Sequence, residues 1–197
     1  MKIFYNDLFP VSILNVKEFL SKKECEVILQ YILNDVGGFK KHSAFPPDGN
    51  SLSTHESDFN ILDYIIKLDG CNSIIIRLMN CLSEYESRSG LKIKNLNNSW
   101  VNIQKPNDFL STHTHPNSNV SGTLYINVDD DSSPLCVHTV NPYIQYSQKS
   151  SLTPMTYEWC SFKPEIGELI IFPSWLPHGS NGQKNQTENR VVISFNA

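Results

Sequence analysis

The sequence has no basic excess, no long apolar run and no paired-cysteine motif, and each absence narrows what the chain can be. A formal charge of −4 over 197 residues argues against a broad non-specific nucleic-acid surface, which needs a surplus of Lys and Arg. The longest apolar stretches, such as Ile74-Ile75-Ile76, are interrupted by Lys67, Asp69 and Arg77 well before membrane-spanning length. The amino-terminal residues do not combine basic residues, an apolar run and a small-residue cleavage site, so no secretory leader is predicted. The five cysteines (Cys25, Cys71, Cys81, Cys136, Cys160) are odd in number and none forms a C-x-x-C pair. They read as reduced, partly buried thiols of a cytoplasmic protein. The N-x-S/T sequons at Asn97 and Asn185 then carry no glycan.

What remains is an ordinary globular composition, 40% apolar and 18% charged, on a chain long enough for one domain with a real core. Its two halves differ in texture. Ser21 and Glu24 form a capping-box pattern, with Leu20 placed to staple onto Cys25. Cys25, Ile28, Leu29 and Ile32 follow at helical spacing, predicting a helix that ends before Gly37-Gly38. A second helix carries Ile74, Leu78, Cys81, Leu82 and Tyr85 on one face and stops at Gly90. Between them, 42–60 is rich in Ser, Pro, Asp and Asn and reads as a long loop. From Trp100 onward short β-rich runs alternate with turn residues. They predict strands near 100–104, 120–128, 135–140, 157–162, 168–172 and 190–195. Many short strands suggest a barrel or two-sheet jelly roll, with the helices on the outside of one sheet.

Two of the six histidines stand almost together, His113-Thr114-His115. On an extended segment residues two apart point to the same side, so both imidazoles can reach one ion. His178, after the strand run Gly167–Pro173, is the best third ligand. Against this, H-x-H can be a polar loop facing solvent, and a lone histidine such as His178 is more often structural. The segment Asn189–Phe195 shifts the balance, because Arg190 opens an otherwise apolar strand. A half-buried arginine needs an anion, no acidic residue in the sequence is an obvious mate, and a planar guanidinium suits a ligand carboxylate. The competing reading is a surface arginine at a strand end. His138 reads as packing on a Cys/His strand, and His42 and His55 as solvated loop residues of a segment able to act as a lid. Trp159 and Trp175 line a substrate channel or belong to the core. Asp129–Asp131 reads as a solvated turn rather than a calcium site.

Taken in order, Ser99–Asn102, His113–Pro116, Ser121–Tyr125, Gly167–His178 and Arg190–Asn196 resemble the iron- and 2-oxoglutarate-dependent oxygenase superfamily, in particular its prolyl-hydroxylase-like branch. They look closest to oxygenases of marine bacteria and phages, and Asp7-Leu8-Phe9-Pro10 looks like the start of those proteins. The resemblance covers roughly 99–196. It implies a mainly β fold with helices (α+β), a cupin-like double-stranded β-helix, with 1–98 as a helical support region and 99–197 as the core of a single domain. It implies Fe(II) held by His113, His115 and His178, with open positions for 2-oxoglutarate and dioxygen. Arg190 matches the arginine that binds the far carboxylate of 2-oxoglutarate, Tyr125 a tyrosine that assists it, and Ser194 a hydroxyl lining the pocket. Asn102 and Gln104 are placed to meet the keto-acid end.

Two positions depart from the superfamily's usual pattern. His115 stands where an Asp or Glu is usual, and Val192 where many relatives carry a serine. A shifted registration would put Asn117 in the carboxylate position, and Asp108 is the nearest upstream carboxylate able to orient a histidine. The expected activity is hydroxylation of a protein side chain or a small molecule, coupled to decarboxylation of 2-oxoglutarate. The alternatives are a three-histidine cupin-type dioxygenase that needs no cosubstrate, and a non-catalytic metal-holding barrel used as a binding module. No nucleic-acid or membrane partner is expected, a homodimer is compatible with the sequence, and the location is the cytoplasm (a host's, if the gene is a phage's).

Overall fold

A computed structural model describes residues 2–4 and 9–197, so Asp7 and Leu8 of the opening motif lie outside the described residues. After a short strand β1 (Leu14–Val16) the chain enters α1 (Lys22–Asn34) through a complete capping box. Glu24 N–H donates to Ser21 Oγ at 3.2 Å, and Ser21 N–H donates to the Glu24 carboxylate at 2.7 Å. β2 (Leu52–Ser53) and the one-turn helix α2 (Leu62–Ile65) follow. The helix α3 (Ile74–Ser89) ends at Gly90, whose φ of 73° is the left-handed cap that glycine adopts freely. The second half supplies β3 (Asn98–Gln104), β4 (Val120–Asn127), β5 (Leu135–His138), β6 (Trp159–Phe162), β7 (Leu169–Pro173), β8 (His178–Gly179) and β9 (Arg190–Asn196).

The strands form two antiparallel sheets, a six-stranded one in the order β1-β7-β4-β9-β3-β2 and a three-stranded one in the order β6-β5-β8. This is the double-stranded β-helix arrangement, mainly β with helices. Among the described residues the two sheets are not hydrogen-bonded into one closed barrel.

Strand alternation decides what goes where. On β9, Val191, Ile193 and Phe195 face outward into the core built with α1, α2 and α3. Ile28, Ile32, Leu78, Leu82 and Tyr85 of the helices join Leu124, Ile126, Leu169 and Ile171 in that same cluster. The opposite row of β9 is Arg190, Val192, Ser194 and Asn196, all of which line the cavity between the sheets. A smaller apolar cluster, including Tyr125, Leu135, Val137, Ile170, Phe172 and Leu176, joins the two sheets. No helix is long and apolar enough to cross a membrane among the described residues.

Candidate active site

The three histidines meet. One ring nitrogen from each of His113, His115 and His178 lies within 4.8 Å of the others. The route by which they do so differs from the sequence reading in two ways. His113-Thr114-His115 is not on a regular strand but in the β3–β4 connection, which lies alongside β8 through paired backbone bonds. His113 N–H donates to His178 O at 2.9 Å, and His178 N–H to His113 O at 3.0 Å. His178, for its part, is not carried by the strand that precedes it. β7 ends at Pro173, and a turn moves the chain to the other sheet, where His178 opens β8. The crossing is fixed by His115 N–H, which donates to Ser174 O at 2.9 Å.

The rings are oriented for a cation. Nδ1 of His113 lies 2.8 Å from Ser111 O, and Nδ1 of His178 lies 2.8 Å from Leu176 O. A carbonyl can only accept, so each Nδ1 carries the proton and each Nε2 presents a lone pair. His115 Nε2 and His178 Nε2 stand 3.2 Å apart. Burial, then mutual repulsion, lowers the pKa of His178 to about 3 and that of His115 to about 4. For His113, burial is again the leading cause of a lowered value. Three neutral imidazoles converging on one point suit a borderline divalent metal. Asn117, in the shifted registration, sits on an exposed turn at φ 82° and lies outside this cluster.

Arg190 is buried, at 8% exposure, and no carboxylate among the described residues pairs with it. Its Nε donates to Ser133 O at 3.1 Å and one terminal nitrogen to Gln104 Oε1 at 3.3 Å. The guanidinium lies 5.5 Å from the centre of the Tyr125 ring. Burial pulls its pKa below the ordinary value and pushes the Tyr125 phenol up to about 12. A charge held this way without an anion is costly unless a ligand supplies one. Asn102 and Ser194 face the same cavity and are joined at 3.3 Å. The cavity encloses about 900 Å³ and reaches from Arg190 past the three histidines.

Several residues fall elsewhere than the sequence suggested. Gln104 is engaged at the Arg190 end of the cavity. Its Oε1 takes Arg190 and Ser133 Oγ, and its Nε2 donates to Asp108 O, so it fixes the guanidinium. Asp108 orients no histidine; its carboxylate accepts from Asn50 N–H, Ser51 N–H and Ser51 Oγ and ties down the long loop. Trp159 and Trp175 are half-exposed and do not line the cavity. His138 approaches Thr112 Oγ1 rather than the cluster. His42 and His55 are half-buried cavity residues and not solvated ones. Asn185 is wholly buried, donating to Gln104 O and Thr187 O, which leaves its sequon no room for a glycan.

Two facing antiparallel sheets with a cluster of potential metal ligands between them are the cupin-like arrangement. Residues 98–196 match the family model described as "Putative 2OG-Fe(II) oxygenase", and the chain belongs to that family. It is an oxygenase that uses Fe(II), 2-oxoglutarate and dioxygen. The fold is shared with a Pseudomonas putida prolyl-4-hydroxylase at TM-score 0.60 and 12% identity, over 94% of this chain and 92% of that one. A Trichoplax adhaerens prolyl hydroxylase, solved with a hypoxia inducible factor peptide fragment, gives TM-score 0.60 and 15% identity over 93% and 82%. HygX from Streptomyces hygroscopicus, solved with nickel and 2-oxoglutarate, gives 0.54 and 10% over 94% and 82%. No curated protein matches the chain in sequence.

Proposed function

We propose that the protein is a hydroxylase in which His113, His115 and His178 hold the iron and Arg190 binds the far carboxylate of 2-oxoglutarate. The observation that carries this reading is the pairing, in one cavity, of three converging neutral imidazoles with a buried arginine that lacks an anion. Held by these three histidines, iron would supply the chemistry that couples loss of carbon dioxide from 2-oxoglutarate, leaving succinate with one atom of dioxygen, to insertion of the other atom into a substrate C–H bond. The chain's own part is positioning and exclusion of water. Gln104 and Ser133 fix the guanidinium so that a carboxylate meets it without reorganisation. Tyr125 forms the wall beside it, and the Asn102–Ser194 pair flanks the path toward the histidines.

The test starts with protein loaded anaerobically with Fe(II). Adding 2-oxoglutarate should produce a metal-to-ligand charge-transfer band, and admitting oxygen should then release succinate. The absence of both signals would remove the reading. Arg190→Ala should raise the 2-oxoglutarate concentration needed for the band while iron stays bound, whereas His178→Ala should lose the iron. One observation favours a second reading. With His115 where a carboxylate is usual, the donor set is that of three-histidine cupin-type dioxygenases, whose substrate carboxylate would then sit on Arg190. Dioxygen consumption without succinate would select it.

A further inference from the structure

We propose that the part of the cavity beyond the cosubstrate is a subsite for an uncharged substrate group carrying both hydrogen-bond donors and acceptors, walled by His42, His55 and Trp100. This rests on the reading of Arg190 as the anchor of 2-oxoglutarate. The inner row of β3 is Asn98, Trp100, Asn102 and Gln104, and its neighbour β9 presents Asn196, Ser194, Val192 and Arg190 in matching register. Six residues of strand at about 3.3 Å each make this trough roughly 20 Å long. A five-carbon diacid spans only roughly 7 Å by its bond lengths. Anchored at Arg190 it reaches about the level of Asn102 and its register partner Val192. The stretch from Trp100 to Asn98 and Asn196 is left for something else.

The wall of that stretch is built by the long loop. His42 and His55 stand edge-on with ring centres 4.8 Å apart, and His55 stands edge-on to Trp100 at 4.6 Å. Trp100 in turn lies 5.6 Å from His115, which places this wall next to the metal cluster. The loop is held there rather than draped. Ser111 N–H donates to Ala44 O at 2.8 Å, Thr54 exchanges two bonds with Val101, and Asp108 takes three from Asn50 and Ser51.

Charge then defines what the subsite accepts. The chain has 16 basic and 20 acidic side chains, yet among the described residues Arg190 is the only one of them lining the cavity. A charged substrate group beyond the cosubstrate would lose its water and find no Lys, Arg, Asp or Glu side chain to pair with among the described residues. Neutral partners are plentiful and of both kinds. Asn102 Nδ2 uses one hydrogen on Ser194, leaving its carbonyl as an acceptor, and Asn196 Oδ1 takes one bond from Ser121, leaving its amide group as a donor. Ala44 N–H donates to His42 Nδ1 at 3.2 Å, so the proton of that ring in its neutral form is on Nε2, a further donor. Asn98 makes no side-chain hydrogen bond among the described residues and offers both. An aromatic wall beside neutral donors and acceptors is a site for an amide- or hydroxyl-bearing group.

The experiment uses four small aromatic probes that differ in one substituent: benzamide, benzyl alcohol, benzoate and benzylammonium. Binding is read by saturation-transfer NMR on the full chain loaded with Zn(II), with and without saturating 2-oxoglutarate. The 2-oxoglutarate titration is recorded first, so a failure of the cosubstrate reading shows before any probe is added. With 2-oxoglutarate bound, benzamide or benzyl alcohol should bind at least about tenfold more tightly than either charged probe, since only the charged ones are desolvated without a partner. Which of the two leads tells an amide substrate from a hydroxylated one. Trp100→Leu should abolish the signal. Asn98→Asp, at a half-buried strand end that tolerates it, should turn the preference toward benzylammonium. Equal or tighter binding of benzoate or benzylammonium by the unaltered protein, or no binding of any probe, would overturn the proposal.

Discussion

The residue that most distinguishes this site is His115. A carboxylate there would bring negative charge to the metal; an imidazole brings none, so the bound cation keeps its full positive charge toward the cosubstrate. His178 and His115 should not be equal in a metal-binding assay. His178 is buried, has its tautomer set by Leu176 O and bonds backbone to backbone with His113. His115 is half-buried, and no backbone carbonyl among the described residues accepts from its ring, which stands beside Trp100, His113 and His178. In chelator competition with Zn(II), His178→Ala should lose the metal outright, and His115→Ala should weaken it by more than the roughly 10–100-fold that losing a ligand's supporting partner costs. Equal losses would mean that His115 is a full structural ligand. A second test concerns Gln104, whose Oε1 accepts from Arg190. Gln104→Leu removes an acceptor from a buried guanidinium and should cost about 1–3 kcal/mol in denaturant unfolding. It should also raise the 2-oxoglutarate requirement, with the iron still bound. Arg190 was legible because an arginine on an apolar strand is anomalous by itself. Gln104 and Asp108 were not, because their meaning lies in partners 86 and 57 residues away.

At the scale of elements, the long strands and both long helices were legible and the joints were not. β7 (Leu169–Pro173) is an unbroken apolar run, β4 and β9 are β-rich runs of eight and seven residues bounded by turn residues, and α1 announces itself with its capping box. β2 and β8 are two residues each, too short to show any period, and both exist only because a distant segment pairs with them. Yet β8 is where the site is assembled, and Gly179 is what permits it. A Cβ at 179 would lie 2.8 Å from Leu110 O and 2.9 Å from Ser111 O. The backbone leading to His113 therefore runs where a side chain would be. Gly179→Ala should push that segment away from His178 and weaken Zn(II) binding. The far-ultraviolet circular dichroism should stay unchanged, since the main sheet pairs elsewhere. Unaltered metal affinity would show that the loop and β8 adjust independently.

At the scale of the whole molecule, the site is a liability in acid when no metal is present, and the sign follows from the direction of the shifts. His113, His115 and His178 all have folded values below their ordinary 6.5, burial being the first cause. The unfolded chain therefore takes up protons that the folded chain refuses, and stability falls as pH falls. It is fully present above about 6.5. The loss begins there and continues to about 4 for His115 and to about 3 for His178. His178 alone, at 4% exposure, contributes on the order of a few kcal/mol to this difference. Glu24, lowered against desolvation by its bonds to Ser21 and by Arg77, loses stability in the same direction, but only at lower pH near the carboxylate range. The upper part of the window therefore belongs to the histidines. Melting temperatures of metal-free protein should be level between pH 8 and 7 and decline steadily from about pH 6.5 downward. Zn(II) should flatten that decline, because a metal on the Nε2 lone pairs competes with the protons. Replacing all three histidines by Asn should shrink it without metal, leaving the share of His42, whose value burial also lowers. A metal-free profile that stays level down to pH 5 would mean that the imidazoles are not held as a buried neutral set, and the metal centre built on them would fall with it.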